Sequence, residues 1–118
     1  MELTERYEIV IAYVGRIRPG REFMEDIWST EIIEEYQRSA IYVNAIIDER
    51  SLACVDCSKR ERAFVITTIR NPIQTPDKDA YYNALGRIVF KVRNALDSPY
   101  TLISIGAVQV SYFPYVVP

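Results

Sequence analysis

The sequence predicts an α+β domain of two layers, a mixed or antiparallel sheet with a long helix laid across it. Three features predict it. Residues 63–69 read as an interior strand, residues 77–96 as one amphipathic helix, and residues 40–48 and 101–113 as strands with alternating apolar side chains. A chain of 118 residues suits one domain over 1–118, with a hairpin arm near 49–61 and an extended tail at 114–118.

The interior strand places Phe64, Ile66 and Thr68 on one face and Ala63, Val65, Thr67 and Ile69 on the other. Both sets are apolar or β-branched, so packing is expected on each side, and Arg62 and Arg70 mark where the strand leaves the core. Pro72 removes a backbone donor and turns Asn71 away from helical geometry, which ends the strand. Thr75 then fits an N-cap, Pro76 the first helical position, and Asp77 and Asp79 an acidic first turn.

Over residues 77–96, Tyr81, Leu85, Ile88, Val92 and Leu96 form one stripe, while Lys78, Asn83, Arg87, Lys91 and Asn94 are placed to meet water. Ser98-Pro99 closes the element. Gly86 in mid-helix costs about 1 kcal/mol relative to Ala, which predicts close approach to the sheet beneath it.

Residues 3–17 read two ways. As a helix capped by Thr4, they align Tyr7, Val10, Ile11, Val14 and Ile17; as a strand, Tyr7, Ile9, Ile11 and Tyr13 alternate, and the β-branched content favours that reading. With Glu8–Arg16 as a strand the order becomes βαββαβ, the ferredoxin-like alternative. Residues 21–38 are acidic, with Met24, Trp28, Ile32 and Tyr36 recurring every fourth position, as in a helix; a loop with a short strand near Ile32 is the other reading. Glu34 and Glu35 are adjacent there and point apart, so a solvated face is expected of them. In residues 40–48, Ile41, Val43, Ala45 and Ile47 make an apolar face, and this strand should pair with 63–69 as an antiparallel hairpin. In the last strand the apolar parity switches after Gly106, which predicts a bulge there.

Composition excludes several chemistries. A net charge of −2 argues against binding dominated by phosphate contacts, so nucleic acid is not an expected partner. No apolar run reaches the length of a membrane span, and MELTERYE lacks a signal peptide's basic-then-apolar order; a cytoplasmic location is the expectation. Histidine is absent, which removes the commonest general base and every Ser-His or Cys-His pair. Cys54-Val55-Asp56-Cys57 is the one chemically suggestive motif. No further Cys or His exists in the chain to complete a zinc site, short of one shared between subunits, so two reduced thiols packed against the sheet are the favoured reading.

The order of elements resembles the tail-terminator proteins of long-tailed bacteriophages, the minor tail protein U-like family. The matching stretches are SAIYVNAIIDE, RAFVITTI and NPIQTPDKDAYYNALGRIVFKVRNAL, and ELTERYEIVIAYVGRI corresponds to that family's first helix. The resemblance implies a structural protein of a phage or prophage tail, not an enzyme. It would form a hexameric ring that ends the tail tube and joins head-completion proteins, in the host cytoplasm during assembly and then in the virion tail. No catalytic residue, cofactor or metal is expected on this reading. Arg50, Lys59, Arg60, Tyr112 and Tyr115 are the expected partner contacts, whether to a second copy or to tail and head proteins. The alternative is a ferredoxin-like oligomeric domain that binds or responds to a small ligand.

Overall fold

The structure, a computed structural model, describes residues 1–116. Six elements follow one another: β1 (Glu2–Ala12), α1 (Arg21–Ser39), β2 (Ile46–Ser51), β3 (Arg62–Ile69), α2 (Lys78–Ala95) and β4 (Tyr100–Val110). The described strands form one sheet in the order β2-β3-β1-β4, every neighbouring pair antiparallel. Two helices lie on one side of it, so the α+β prediction is met in its ferredoxin-like form.

β1 decides the topology. The terminator resemblance makes this segment a helix; the structure makes it an inner strand paired with β3 on one side and β4 on the other. Its β-branched alternation is the reason, because Tyr7, Ile9 and Ile11 then reach the core together with Phe64 and Ile66 of β3. Met24 and Trp28 of α1 and Tyr81, Leu85, Ile88, Val89 and Val92 of α2 close that core from the helical side.

Several local expectations shift. The strand expected at 40–48 begins only at Ile46 and runs to Ser51. Ala40 takes a left-handed conformation (φ 60°) and its N–H donates to the Tyr36 carbonyl, ending α1, so Val43 reaches the core from an irregular link. The N-cap of α2 is Asp77, whose carboxylate accepts from the N–H groups of Asp79 and Ala80, and not Thr75. β4 pairs with β1 residue for residue from Tyr100 to Val110, so Gly106 carries no bulge. The parity switch is real in sequence but reflects two exposed faces: Ile103 and Ile105 lie on the helical side, and Leu102 lies on the other. Tyr112 and Phe113 fall beyond the strand, and of the tail expected at 114–118, Val117 and Pro118 lie outside the described residues.

Charged groups also depart from expectation. Arg70 does not leave the core at the end of β3; its side chain is 7% exposed and bound to Glu5. Glu35 is not on a solvated face; its carboxylate is 3% exposed and accepts from Arg87 of α2 at 3.0 and 2.9 Å. In both cases a partner from an element distant in sequence supplies the neutralising charge.

Candidate functional site

A cleft of about 560 Å³ opens where α2 passes the exposed edge strand β4. Arg93 near the end of α2 donates to the Thr101 hydroxyl at 3.1 Å and ties the helix to β4. Val89, Phe90, Gly86 and Tyr82 of α2, Tyr7 of β1 and Ile103 of β4 line the groove. The groove exists because the helices cover β1 and β3 but leave the helix-facing side chains of β4 in part uncovered.

Aromatic rings connect the cleft to a polar cluster at its base. The Tyr7 ring lies 5.7 Å from that of Tyr81 and 6.3 Å from that of Tyr82. The Tyr81 hydroxyl is hydrogen-bonded to the Thr68 hydroxyl. Beside them Arg70 clamps Glu5 in a two-point bond, Nε to Oε1 at 2.8 Å and Nη2 to Oε2 at 3.1 Å, while its Nη1 donates to the Thr75 carbonyl at 3.0 Å.

The electrostatics follow from those contacts. The Arg70 hydrogen bond holds the Glu5 carboxyl below the usual carboxylate range, so Glu5 is ionised and a weak base. Burial raises Tyr7, and it pushes Tyr81 up to about 12, so both phenols stay protonated. On the outer rim Arg38, Arg87 and Lys91 supply positive charge. Arg87 is neutralised by Glu35 and Lys91 lies 3.9 Å from Glu34; Arg38 makes no ion pair among the described residues. The cleft is thus a mostly apolar, aromatic slot with a basic rim.

Cys54 and Cys57 are joined in a disulfide within the exposed loop after β2, which corrects the expectation of packed thiols. Cys54 lines a second cleft of about 570 Å³ on the helix-free face, with Val10, Ala12, Leu52 and Tyr100. Among the described residues no group of three Cys, Asp or Glu side chains is placed to hold a metal ion.

The residues expected to contact partners are not gathered in one place. Arg50 on β2 is exposed and lies 3.5 Å from Asp48, and Lys59 and Arg60 sit in the exposed loop that follows. Tyr112, whose hydroxyl accepts from Gln74 at 3.4 Å, and the exposed Tyr115 follow β4 at the opposite end of the sheet. None of the five lines the α2–β4 cleft. Of its own residues, the sequence reading placed Leu85 in the apolar stripe of the helix and Asn83, Arg87 and Lys91 in water, and it singled out Gly86 only for close approach to the sheet.

The chain is a four-stranded ferredoxin-like domain, a fold that hosts many unrelated functions and so fixes none. The SAM lyase family model matches residues 2–114, and the chain belongs to that family. Among solved structures it is similar to a phage SAM lyase in the apo state, at 9% identity and a TM-score of 0.56, covering 95% of this chain and 94% of that one. A phage SAM lyase in complex with S-methyl-5'-thioadenosine is similar at 11% identity and a TM-score of 0.50, covering 94% of this chain and 93% of the other. No curated protein matches the chain.

The family match overturns the terminator reading, and with it the tail role and the expectation of a non-enzyme; the tail and head partners, the hexameric ring and the virion location rested on that resemblance alone. The resemblance rested on element order and on apolar residues common to many α+β domains. It also needed residues 3–17 to be helical, which they are not.

Proposed function

We propose that the protein is a lyase that degrades S-adenosylmethionine and releases S-methyl-5'-thioadenosine. The observation that carries this reading is the SAM lyase family match over residues 2–114. The α2–β4 cleft is the proposed site, since its size and its aromatic walls suit an adenosyl sulfonium.

The chemistry explains how a chain without histidine manages it. A sulfonium is its own leaving group: when its bond to the side-chain γ-carbon breaks, the electron pair stays on sulphur and a neutral thioether departs. The substrate also carries its own nucleophile. Attack of its carboxylate oxygen on the γ-carbon closes a five-membered lactone, so no water, general acid or general base is consumed. The alternative, elimination across the β and γ carbons, needs a base to remove a carbon-bound proton. With Glu5 held ionised by Arg70, and Tyr7 and Tyr81 held protonated, the cluster suits ring closure better.

In that reaction a cation and an anion become two neutral groups. An apolar slot around Tyr7, Tyr82, Val89 and Ile103 replaces water that would stabilise the charged substrate more than the transition state. The slot also holds the flexible chain folded, and such restraint is a large part of the acceleration available to an intramolecular step. The basic rim at Arg38 and Lys91 suits the substrate carboxylate on entry.

Incubating the purified protein with S-adenosylmethionine and separating the products by chromatography tests this. Equal amounts of S-methyl-5'-thioadenosine and homoserine lactone are expected. Absence of the thioether above the spontaneous rate would overturn the reading; an unsaturated amino acid in place of the lactone would keep the substrate and replace ring closure by elimination.

Self-association belongs to the same proposal. β4 leaves one backbone edge unpaired over eleven residues and exposes Tyr100 and Leu102 on the helix-free face, a surface suited to being covered. A second copy is the proposed cover, with Tyr112 and Tyr115 extending the contact at one end of the sheet and Arg50, Lys59 and Arg60 contributing at the other. Among the described residues no helix is long and apolar enough to cross a membrane.

A further inference from the structure

The loop between β2 and β3, residues 52–61, is held by few contacts. Leu52, Cys57 and Glu61 are half-buried, and its other residues are exposed. It is built as two tight turns in series. The Cys57 N–H donates to the Cys54 carbonyl at 3.3 Å across the first, and the Glu61 N–H donates to the Ser58 carbonyl at 3.3 Å across the second. The second turn holds Arg60 at a φ of 66°, a left-handed conformation that a residue with a Cβ rarely adopts. At the base of the loop the Leu52 N–H donates to the Glu61 carbonyl at 2.8 Å. The one covalent tie is the Cys54–Cys57 disulfide, which staples the first turn across its two ends. Leu52, Cys54 and Asp56 form the loop's side of the cleft on the helix-free face, opposite Val10, Ala12 and Tyr100 of the sheet.

We propose that Cys54–Cys57 is a thiol–disulfide exchange site, and that a dithiol reductant acting there releases the loop from the helix-free cleft. The inference is independent of the reaction proposed above, because this cleft and the α2–β4 cleft share no residue. Two features of the site favour exchange. Cys54 is exposed, so an incoming thiolate reaches its sulfur without unfolding the chain. Asp56 Oδ1 lies 3.4 Å from that sulfur, which makes Cys54 the poorer place to leave negative charge and Cys57 the better leaving group. The reductant's thiolate therefore bonds to the Cys54 sulfur, the Cys54–Cys57 bond breaks, and its electron pair departs on Cys57, which takes a proton from water. The reductant's second thiol, as thiolate, then attacks its own sulfur in the mixed disulfide and releases Cys54. Two electrons pass to the protein, which ends with two thiols, and the reductant ends as a disulfide.

Reduction costs the loop its staple and the rest of the domain little. None of residues 52–61 belongs to the core, and so short a covalent closure contributes modestly to overall stability. What remains is three backbone hydrogen bonds, a Ser58–Glu61 side-chain bond and the unfavourable turn at Arg60, too little to hold the segment in one conformation.

The full chain, purified without reductant, should take no maleimide label in native buffer. After dithiothreitol both Cys54 and Cys57 should label, with the thermal melt still cooperative. Trypsin follows the loop directly, since Lys59 and Arg60 lie within it. Cleavage after these two residues, identified by fragment mass, should be about tenfold faster in the reduced and alkylated chain than in the oxidised one. Cys54→Ser combined with Cys57→Ser should be cut at the reduced rate with or without dithiothreitol, and the alkylated wild type gives the same reading without mutation. The proposal fails if dithiothreitol reduces the bond only once the chain is unfolded, or if reduction leaves the cleavage rate unchanged. It fails equally if the purified chain labels at once and oxidised glutathione does not close the bond.

Discussion

Glu35 and Arg87 join the two helices through a carboxylate that is almost wholly buried. The Arg87 bond holds Glu35 below the usual carboxylate range, and Arg70 does the same for Glu5. A carboxyl whose folded value lies below its unfolded value of about 4.5 stabilises the fold above that pH, and the gain is lost as pH falls through the folded value. Glu31, raised by burial, works against this: its charged form is disfavoured in the fold, so acidification relieves it. Two groups favour the ionised state against one, so net loss of stability in acid is expected. Glu35→Gln should lower unfolding stability at neutral pH by about 1–3 kcal/mol, less than for a fully enclosed pair because Arg87 is 36% exposed. Denaturant titrations at pH 7 and pH 3 check it; the gap between variant and wild type should narrow at the lower pH.

Elements take their limits from a few contacts of this kind. α2 starts where Asp77 accepts two backbone N–H groups, so Asp77→Ala should cost about 1 kcal/mol, while Thr75→Ala should show no loss of helix capping. Thermal melts of the two variants distinguish the observed start from the one read in sequence. The loop after β2 is closed by a disulfide over a separation of three residues. So short a closure limits its entropic contribution to about 2 kcal/mol. β4 is the least covered strand: among the described residues β1 is its only partner in the sheet, and its exposed Ile103 on the helical side shapes one wall of the cleft.

At the scale of the whole molecule, β2 and β4 are the two edges of the sheet, and they differ. β2 is six residues long and carries Asp48, Glu49 and Arg50, charges that discourage edge-to-edge pairing. β4 is eleven residues long and uncharged, and is the edge expected to meet a second copy. Light scattering after size exclusion should therefore give a mass above one chain, and Leu102→Lys on the exposed face should shift the population toward monomer. A wild type that stays monomeric at high concentration would remove self-association from the proposal.

Periodicity and turn chemistry by themselves determined the interior strand, the long helix and its proline-marked entry, because these are local patterns that survive any arrangement of neighbours. Residues 3–17 carry two periodicities at once, and only pairing with β3 and β4 selected the strand. Glu35 and Arg70 read as solvated charges because their partners, Arg87 and Glu5, are 52 and 65 residues distant in sequence. Cys54 and Cys57 carried too little spacing information to choose between thiol and disulfide. The cleft was the least legible feature of all. It is a gap between a helix and an unpartnered strand edge, and it became visible only once tertiary packing showed which side chains of β4 nothing covers and that the space above Gly86 is open.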